Sequence, residues 1–389
     1  NVTGVQTCAL PISDDQFALR DGIRSLLTGR FDSDRIRAGY DRALHEELAE
    51  AGVFSLLADG FTWADAAVVF EQLGEFCVPG PLVASFLAGE PASIVEAHDP
   101  TVVEYLDSVD SVYVLGADVA RVDASAIRGE RSEWPLDPLT PVTPVEALPA
   151  GESVGSRQEA YRWWSEGALL TAAQQVGLAA ALVDLSVAYA MDREQFGRPI
   201  GGFQAVKHMC AEMAVKAEVA RAAVQAAACV LDDPETGDLW RALHGAKILA
   251  GDAAITCGRL ATQVHGGMGF TWEVDVHLYL KRAWVLDTRF GSVDAHADAI
   301  ALGLIAVAQE IELRNCADFC FVGELALTGA VRPVAGVLPI ALEARRRGRD
   351  ARAASPIRSP PEPALSMKPR RGPSPCRRRF RGCRDSGRR

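Results

Sequence analysis

Three short stretches carry residue types that could act together on a ligand. In "YAMDREQFGRPIGGFQAVKH", residues 189–208, Arg193 is followed by Phe196 and then by Gln204 at the head of a new apolar pattern. An arginine is permanently charged and presents a planar fork of donors, a shape suited to gripping a diphosphate at two points. Phe196 adds a flat aromatic face and Gln204 a hydrogen bond. In "QVHGGMGFTWE", residues 263–273, Gln263 precedes Gly266 and Gly267, where the missing Cβ lets the backbone come close to a bound molecule. Each stretch also has a plain structural reading: Arg193 as a cation facing a helix C-terminus, and "GGMG" as a helix stop. The third stretch, "VLDTRFGSVDAH" at 285–296, sets Phe290 between Arg289 and the pair Gly291–Ser292.

The elements that must position these residues are mostly helical. From Asp14 to Pro79 the apolar spacing is helical, with Phe17, Ile23, Leu26 and Leu27 at intervals of three and four; Thr62 is placed to cap a later helix, with Asp65 three residues on. Residues 110–150 change to short β-branched pieces, "SVYVLG", "RVDASAI" and "TPVTPVEAL", broken by Pro135, Pro138, Pro141 and Pro144. Four long helical patterns follow, rich in small residues that allow close packing. The pattern predicts a mainly α chain with a small β domain: an N-terminal helical domain at 14–90, a short middle β domain at 91–156 and a C-terminal four-helix bundle at 157–305.

The ends differ from this body. The chain has 389 residues and a net charge of −11, yet residues 343–389 hold sixteen of its forty Lys and Arg and only four acidic residues. The rest therefore carries about −23, which argues against nucleic acid as a partner. The tail at 306–389 reads as disordered or non-native, and residues 1–13 as a non-native leader. Nine scattered cysteines form no metal-like pair of pairs, so reduced thiols and no metal are expected. No uncharged apolar run of membrane-spanning length is expected, and the reading is a cytoplasmic protein with no membrane partner.

Helices, a small β domain and a four-helix bundle, in that order, resemble the acyl-CoA dehydrogenase family. The stretch at 189–208 looks like the family's YAxxRxxFGxxI…FQ signature, and 263–273 like its Q-x-x-GG-x-G-F segment. The resemblance spans residues 14–305. It implies FAD as cofactor, bound to a neighbouring subunit through Arg193, Phe196, Gln204, Gln263, Gly266 and Gly267, and therefore an oligomer. It also implies an acyl-CoA substrate, oxidised to the 2-enoyl-CoA, and an electron-transfer flavoprotein as acceptor.

At the third stretch the chain departs from the family. Family members remove the α-proton of the acyl-CoA with a glutamate, and a base must lie within hydrogen-bond reach of that proton. Most carry it in a Tyr-Glu-Gly-Thr segment; Gly291 and Ser292 take the Gly and Thr places beside the flavin, so Phe290 stands where the glutamate belongs. Some members carry the base on the first bundle helix instead, a position that falls on Gly167; Glu166 is one residue away, about 100° round the helix. Glu166 is thus either a displaced base or an ordinary acidic residue of a first helical turn. The family's Thr/Ser-Glu-Pro…Gly-Ser-Asp stretch is missing from 80–160, where "RSEWPLDP" at 131–138 is a faint echo. These departures resemble the non-catalytic subunit of the bacterial α2β2 acyl-CoA dehydrogenases, whose partner supplies the glutamate. A self-sufficient dehydrogenase using Glu166 and a flavin-dependent monooxygenase of the same fold are the alternatives.

Overall fold

The computed structural model describes residues 13–40, 42–96 and 102–307, with four two-residue strands beyond them. One compact unit runs to Glu312 and a second begins at Leu313. Apart from Ser13, the expected leader lies outside the described residues, as does most of the expected tail. In the second unit Glu324–Leu325 pairs with Val331–Arg332, and Phe319–Cys320 with Asp350–Ala351, where the sequence predicts no regular structure.

The first unit opens with five helices: α1 (Asp14–Leu27), α2 (Ser33–Ala38), α3 (Arg42–Glu50), α4 (Trp63–Glu75) and α5 (Leu82–Ala88). Helix α4 starts at the expected cap, with Thr62 accepting from the Asp65 amide and Asp65 accepting from that of Thr62. Proline at 79 and 81 separates α4 from α5, and Gly89, in the left-handed conformation, ends it.

The β layer is a four-stranded sheet with two strands beside it. Strands β1 (Ala92–Glu96) and β3 (Ser111–Leu115) run parallel, and β4 (Val119–Asp123) and β6 (Glu152–Gly155) extend the sheet antiparallel. Strands β2 (Val102–Glu104) and β5 (Val142–Pro144) pair separately. The pieces "SVYVLG", "RVDASAI" and "TPVTPVEAL" contain β3, part of β4 and β5. Strand β1, at one edge of this sheet, is buried at every position.

The third layer is the bundle: α6 (Arg157–Asp192), α7 (Gln204–Asp232), α8 (Leu239–His265) and α9 (Val276–Thr288), joined by a fifth helix, α10 (Val293–Val307), packed on α8. A tiny hairpin, β7 (Glu194–Gln195) and β8 (Arg198–Pro199), links α6 to α7. By length and composition α6 could cross a bilayer, contrary to the expectation that no such run exists. Its most apolar window has a mean hydropathy of 1.5, but 78% of that window is buried inside the fold. Leu169, Leu170, Val176, Leu178 and Leu182 lie at different angles round the helix and are all buried, the mark of a helix enclosed on several sides. Helix α4 crosses α6 with Gly74 and Gly177 backbone to backbone. Cys77, Cys210, Cys229 and Cys257 are free thiols.

Candidate active and cofactor site

The two ligand-like motifs come together at one end of the bundle. Tyr189 near the end of α6 stacks on His265 at the end of α8, with ring centroids 4.2 Å apart. Arg193 caps α6, its amide donating to the Tyr189 carbonyl at 2.8 Å, while its side chain is exposed and has no hydrogen-bond or ion-pair partner among the described residues. The chain then turns through the β7–β8 hairpin. Its two-residue tip, Phe196–Gly197, has φ of 55° and 78°, the left-handed pair of a tight hairpin turn. Glycine takes such a conformation freely; phenylalanine does not. Phe196 is nonetheless 91% exposed, its ring T-shaped to that of Phe203 with centroids 6.1 Å apart. A strained aromatic aimed at solvent is a feature of ligand sites rather than of cores.

Gln204 is exposed at the first position of α7, and the Arg198 guanidinium lies 4.2 Å from the Phe203 ring centroid. On the α8 side Gln263 is exposed in the last turn, and its carbonyl accepts from Gly266, which has φ of 59°. A Cβ built at Gly266 or Gly267 would meet nothing within 4 Å, so open space faces this backbone. Phe270 and Trp272, which the sequence reading did not single out, are exposed beside it.

The third stretch is a different kind of place. Phe290 has φ of 51° and is 3% exposed. Its ring lies against Gly167, where an added Cβ would fall 2.4–2.7 Å from the ring carbons. The two positions that the sequence reading assigns to the family's base are therefore neighbours in space: one is a phenyl ring and the other has no side chain. Glu166 faces elsewhere. Its carboxylate pairs with Arg162 one turn back at 3.6 Å, and burial pushes its pKa up to about 7 against the smaller opposing pull of Arg162. Gly291 has φ of 90°, and a Cβ there would sit 2.7 Å from His296 Nε2. Ser292 caps α10: its hydroxyl accepts from the Ala295 amide and its carbonyl from that of His296. Both residues thus have local structural roles beside any ligand contact.

Residues that carry no sequence signal hold this turn. Buried Glu96, at the end of β1, accepts from the Phe290 amide at 2.8 Å and from the Trp164 indole at 3.2 Å. His296 Nε2 is 2.9 Å from the Phe290 carbonyl, and its Nδ1 is 2.7 Å from His244 Nδ1. A carbonyl can only accept, so His296 carries its proton on Nε2 and accepts at Nδ1 from His244. Lys247, fully buried, donates to the Leu286 and Asp287 carbonyls at the end of α9, and burial lowers its pKa to about 8 despite Asp287 and Glu96.

The histidine pair carries a pH prediction. Burial lowers the His296 pKa to about 4, so this group stabilises the fold fully above the ordinary histidine value, and its contribution falls away as the pH drops towards 4. Glu166, shifted upward, runs the other way, its contribution being lost as the pH rises through 7. A His296→Gln chain keeps a donor for the Phe290 carbonyl but cannot titrate. Compared with wild type in urea, it should lose about 2 kcal/mol less between pH 7 and pH 5. Identical slopes would mean that His296 is hydrated.

Sequence comparison matches residues 164–305 to the acyl-CoA dehydrogenase C-terminal domain, and residues 295–353, most of them outside the described ones, to subunit ChlI of Mg-chelatase. The acyl-CoA dehydrogenase IpdE2 of Mycobacterium tuberculosis is 32% identical over 303 residues, covering 69% of this chain and 91% of IpdE2. Acyl-CoA dehydrogenase FadE34 of the same organism is 47% identical over 116 residues, 30% of this chain and 16% of that protein. Among solved structures, the ChsE4–ChsE5 complex from Mycobacterium tuberculosis contains a chain that superposes with a TM-score of 0.65 at 20% identity, covering 76% of this chain and 98% of that one. With nine-tenths of IpdE2 matched at 32% identity, residues 164–305 matched by the family's C-terminal domain and the fold shared, the chain belongs to the acyl-CoA dehydrogenase family, whose cofactor is FAD.

Proposed function

We propose that this chain is the base-lacking subunit of a heteromeric acyl-CoA dehydrogenase that converts an acyl-CoA to the 2-enoyl-CoA. One observation carries the reading: at the place where a proton must be taken, the Phe290 ring lies on Gly167 and neither offers an acceptor. At the other end of the bundle, Arg193, Phe196, Gln204, Gln263, Gly266 and Gly267 stand exposed.

When bound, FAD supplies the acceptor for the hydride that leaves the β-carbon. This chain's residues bind and orient it: Arg193 meets the diphosphate, Phe196 covers the adenosine, Gln204 and Gln263 donate hydrogen bonds, and Gly266 and Gly267 admit the dinucleotide against the backbone. The residues present fit that end of the cofactor. A carboxylate on a partner subunit takes the α-proton. An electron-transfer flavoprotein re-oxidises the enzyme, and the complex works in the cytoplasm.

The test is an Arg193→Ala chain purified with its co-purifying partner. Flavin per complex should fall at least tenfold, because a bidentate charged contact to the diphosphate is removed. Full flavin content would overturn the reading. A second reading rests on Glu166, whose pKa of about 7 suits a general base. It requires an acyl-CoA to bleach the flavin of this chain alone under anaerobic conditions, and Glu166→Gln to abolish the bleaching.

A further inference from the structure

The turn carrying Phe290 is held at both of its backbone polar groups by side chains from two other elements, the distant β1 and the following α10. Glu96 of β1 accepts its amide hydrogen, and His296 of α10 donates to its carbonyl. Trp164 of α6 fixes the same Glu96 carboxylate and stacks on His296, ring centroids 5.3 Å apart. Left-handed backbone costs a non-glycine residue on the order of 1–3 kcal/mol, so Phe290 stays there only because its surroundings over-determine it.

Behind the ring lies a cavity of about 50 Å³, whose lining includes Leu82, Val83, Thr171, Gln174, Leu286 and Phe290 itself. Thr171 and Gln174 stand one and two turns along α6 from Gly167, so the cavity continues the space that the ring fills. An acyl chain offering its α-proton to a base at either family position would run through this space. Ligand pockets usually measure about 300–1,000 Å³, and this remnant is far smaller.

We propose that the Phe290 turn is a latched plug that closes this chain's own acyl chamber, with Glu96 as the positioning residue that holds the latch. The proposal rests on the reading that proton abstraction belongs to the partner, and it deepens that reading: the chamber is shut, not merely without a base. Its walls are apolar at Leu82, Val83 and Leu286, polar at Thr171 and Gln174, and charged at Glu104, Arg282 and Arg289. Once opened, it would take a short acyl chain as its CoA thioester.

The experiment uses the full chain and two readouts, calorimetric titration with butyryl-CoA and hydrogen exchange of the segment 286–296. Wild type should give no saturable binding, and the Phe290 amide should exchange slowly. Phe290→Ala should bind one equivalent of butyryl-CoA. Glu96→Gln should speed exchange in 286–296 at least tenfold while amides in the middle of α8 keep their protection, and should bind butyryl-CoA weakly. Folded Phe290→Ala that binds nothing would overturn the proposal, as would saturable binding by wild type with the amide still protected. If Phe290→Ala does not fold, Phe290→Leu and Glu96→Gln carry the same readouts, and unchanged exchange with no binding overturns it equally. Flavin content of the co-purified Arg193→Ala complex is read separately, so failure of the heteromeric reading and failure of the plug remain distinct results.

Discussion

An Asp137→Ala chain should unfold about 3–5 kcal/mol more easily than wild type, because it strands a buried guanidinium. Asp137 Oδ2 lies 2.5 Å from Arg282 Nε, and the two side chains are 0% and 6% exposed. The same carboxylate accepts from the Leu139 amide at 3.0 Å and from the Thr140 hydroxyl at 2.6 Å, so one residue folds the 137–140 turn and ties it to α9. Without it, the Arg282 fork keeps among the described residues the Val78 carbonyl at 3.5 Å, and its Nη2 has no partner among them. The double variant Asp137→Ala, Arg282→Met should recover part of the loss, since no buried charge is left uncompensated while the Leu139 amide and Thr140 hydroxyl still lack their acceptor. Urea midpoints for wild type, both single variants and the double variant give the coupling. A cost below 1 kcal/mol for Asp137→Ala would mean that water reaches Arg282.

The second large effect concerns the α4–α6 crossing. A methyl group at Gly177 would sit 1.9 Å from the Glu71 carbonyl oxygen and 2.6 Å from the Glu75 nitrogen; one at Gly74 would sit 2.1 Å from the Gln174 carbonyl oxygen. These are backbone atoms of hydrogen-bonded helices and cannot rotate aside as a side chain does. Overpacking commonly costs about 1–3 kcal/mol, and Gly177→Ala should lie at or above the top of that range. Gly245→Ala in α8 is the control: its added methyl meets nothing within 4 Å, so the better helix propensity of alanine should stabilise by about 1 kcal/mol. Thermal melts of the two variants should move in opposite directions. If Gly177→Ala melts with wild type, the helices are further apart than the structure places them.

What the sequence reveals follows from how each feature is encoded. The bundle is legible because long helical stretches of 13–36 residues are either periodic or, in α6, apolar all round, and the exposed end with Arg193 and Gln263 is legible because its residues fall in two short motifs. Strand β1 is not. Its five residues are all buried, so "ASIVE" shows no alternation, and its parallel partner β3 lies beyond β2 in the sequence. Helix α10 escapes notice because its apolar run abuts the atypical tail. The latch is the least legible: Glu96, Trp164, His244 and His296 come from four elements with no mutual spacing. Even the reading that sets Phe290 in the glutamate's place gives no hint that its ring seats on Gly167, because the two residues lie far apart in the sequence. "RSEWPLDP" looked like a faint echo of a flavin segment, yet its Asp137 proves to be the buried anchor for Arg282.

The Phe196–Gly197 hairpin tip bears on rates of association. A loop that must find its shape after meeting a ligand loses freedom at that moment, and the loss appears as weaker and often slower binding. Here the tip is already set: two paired residues on each side fix the turn, and Arg198 braces Phe203 behind it. The conformational cost of the left-handed phenylalanine is met during folding, before any encounter. Capture at this end should therefore be limited by diffusion and orientation rather than by loop closure, and substitutions that relax the tip should slow arrival as well as hasten departure.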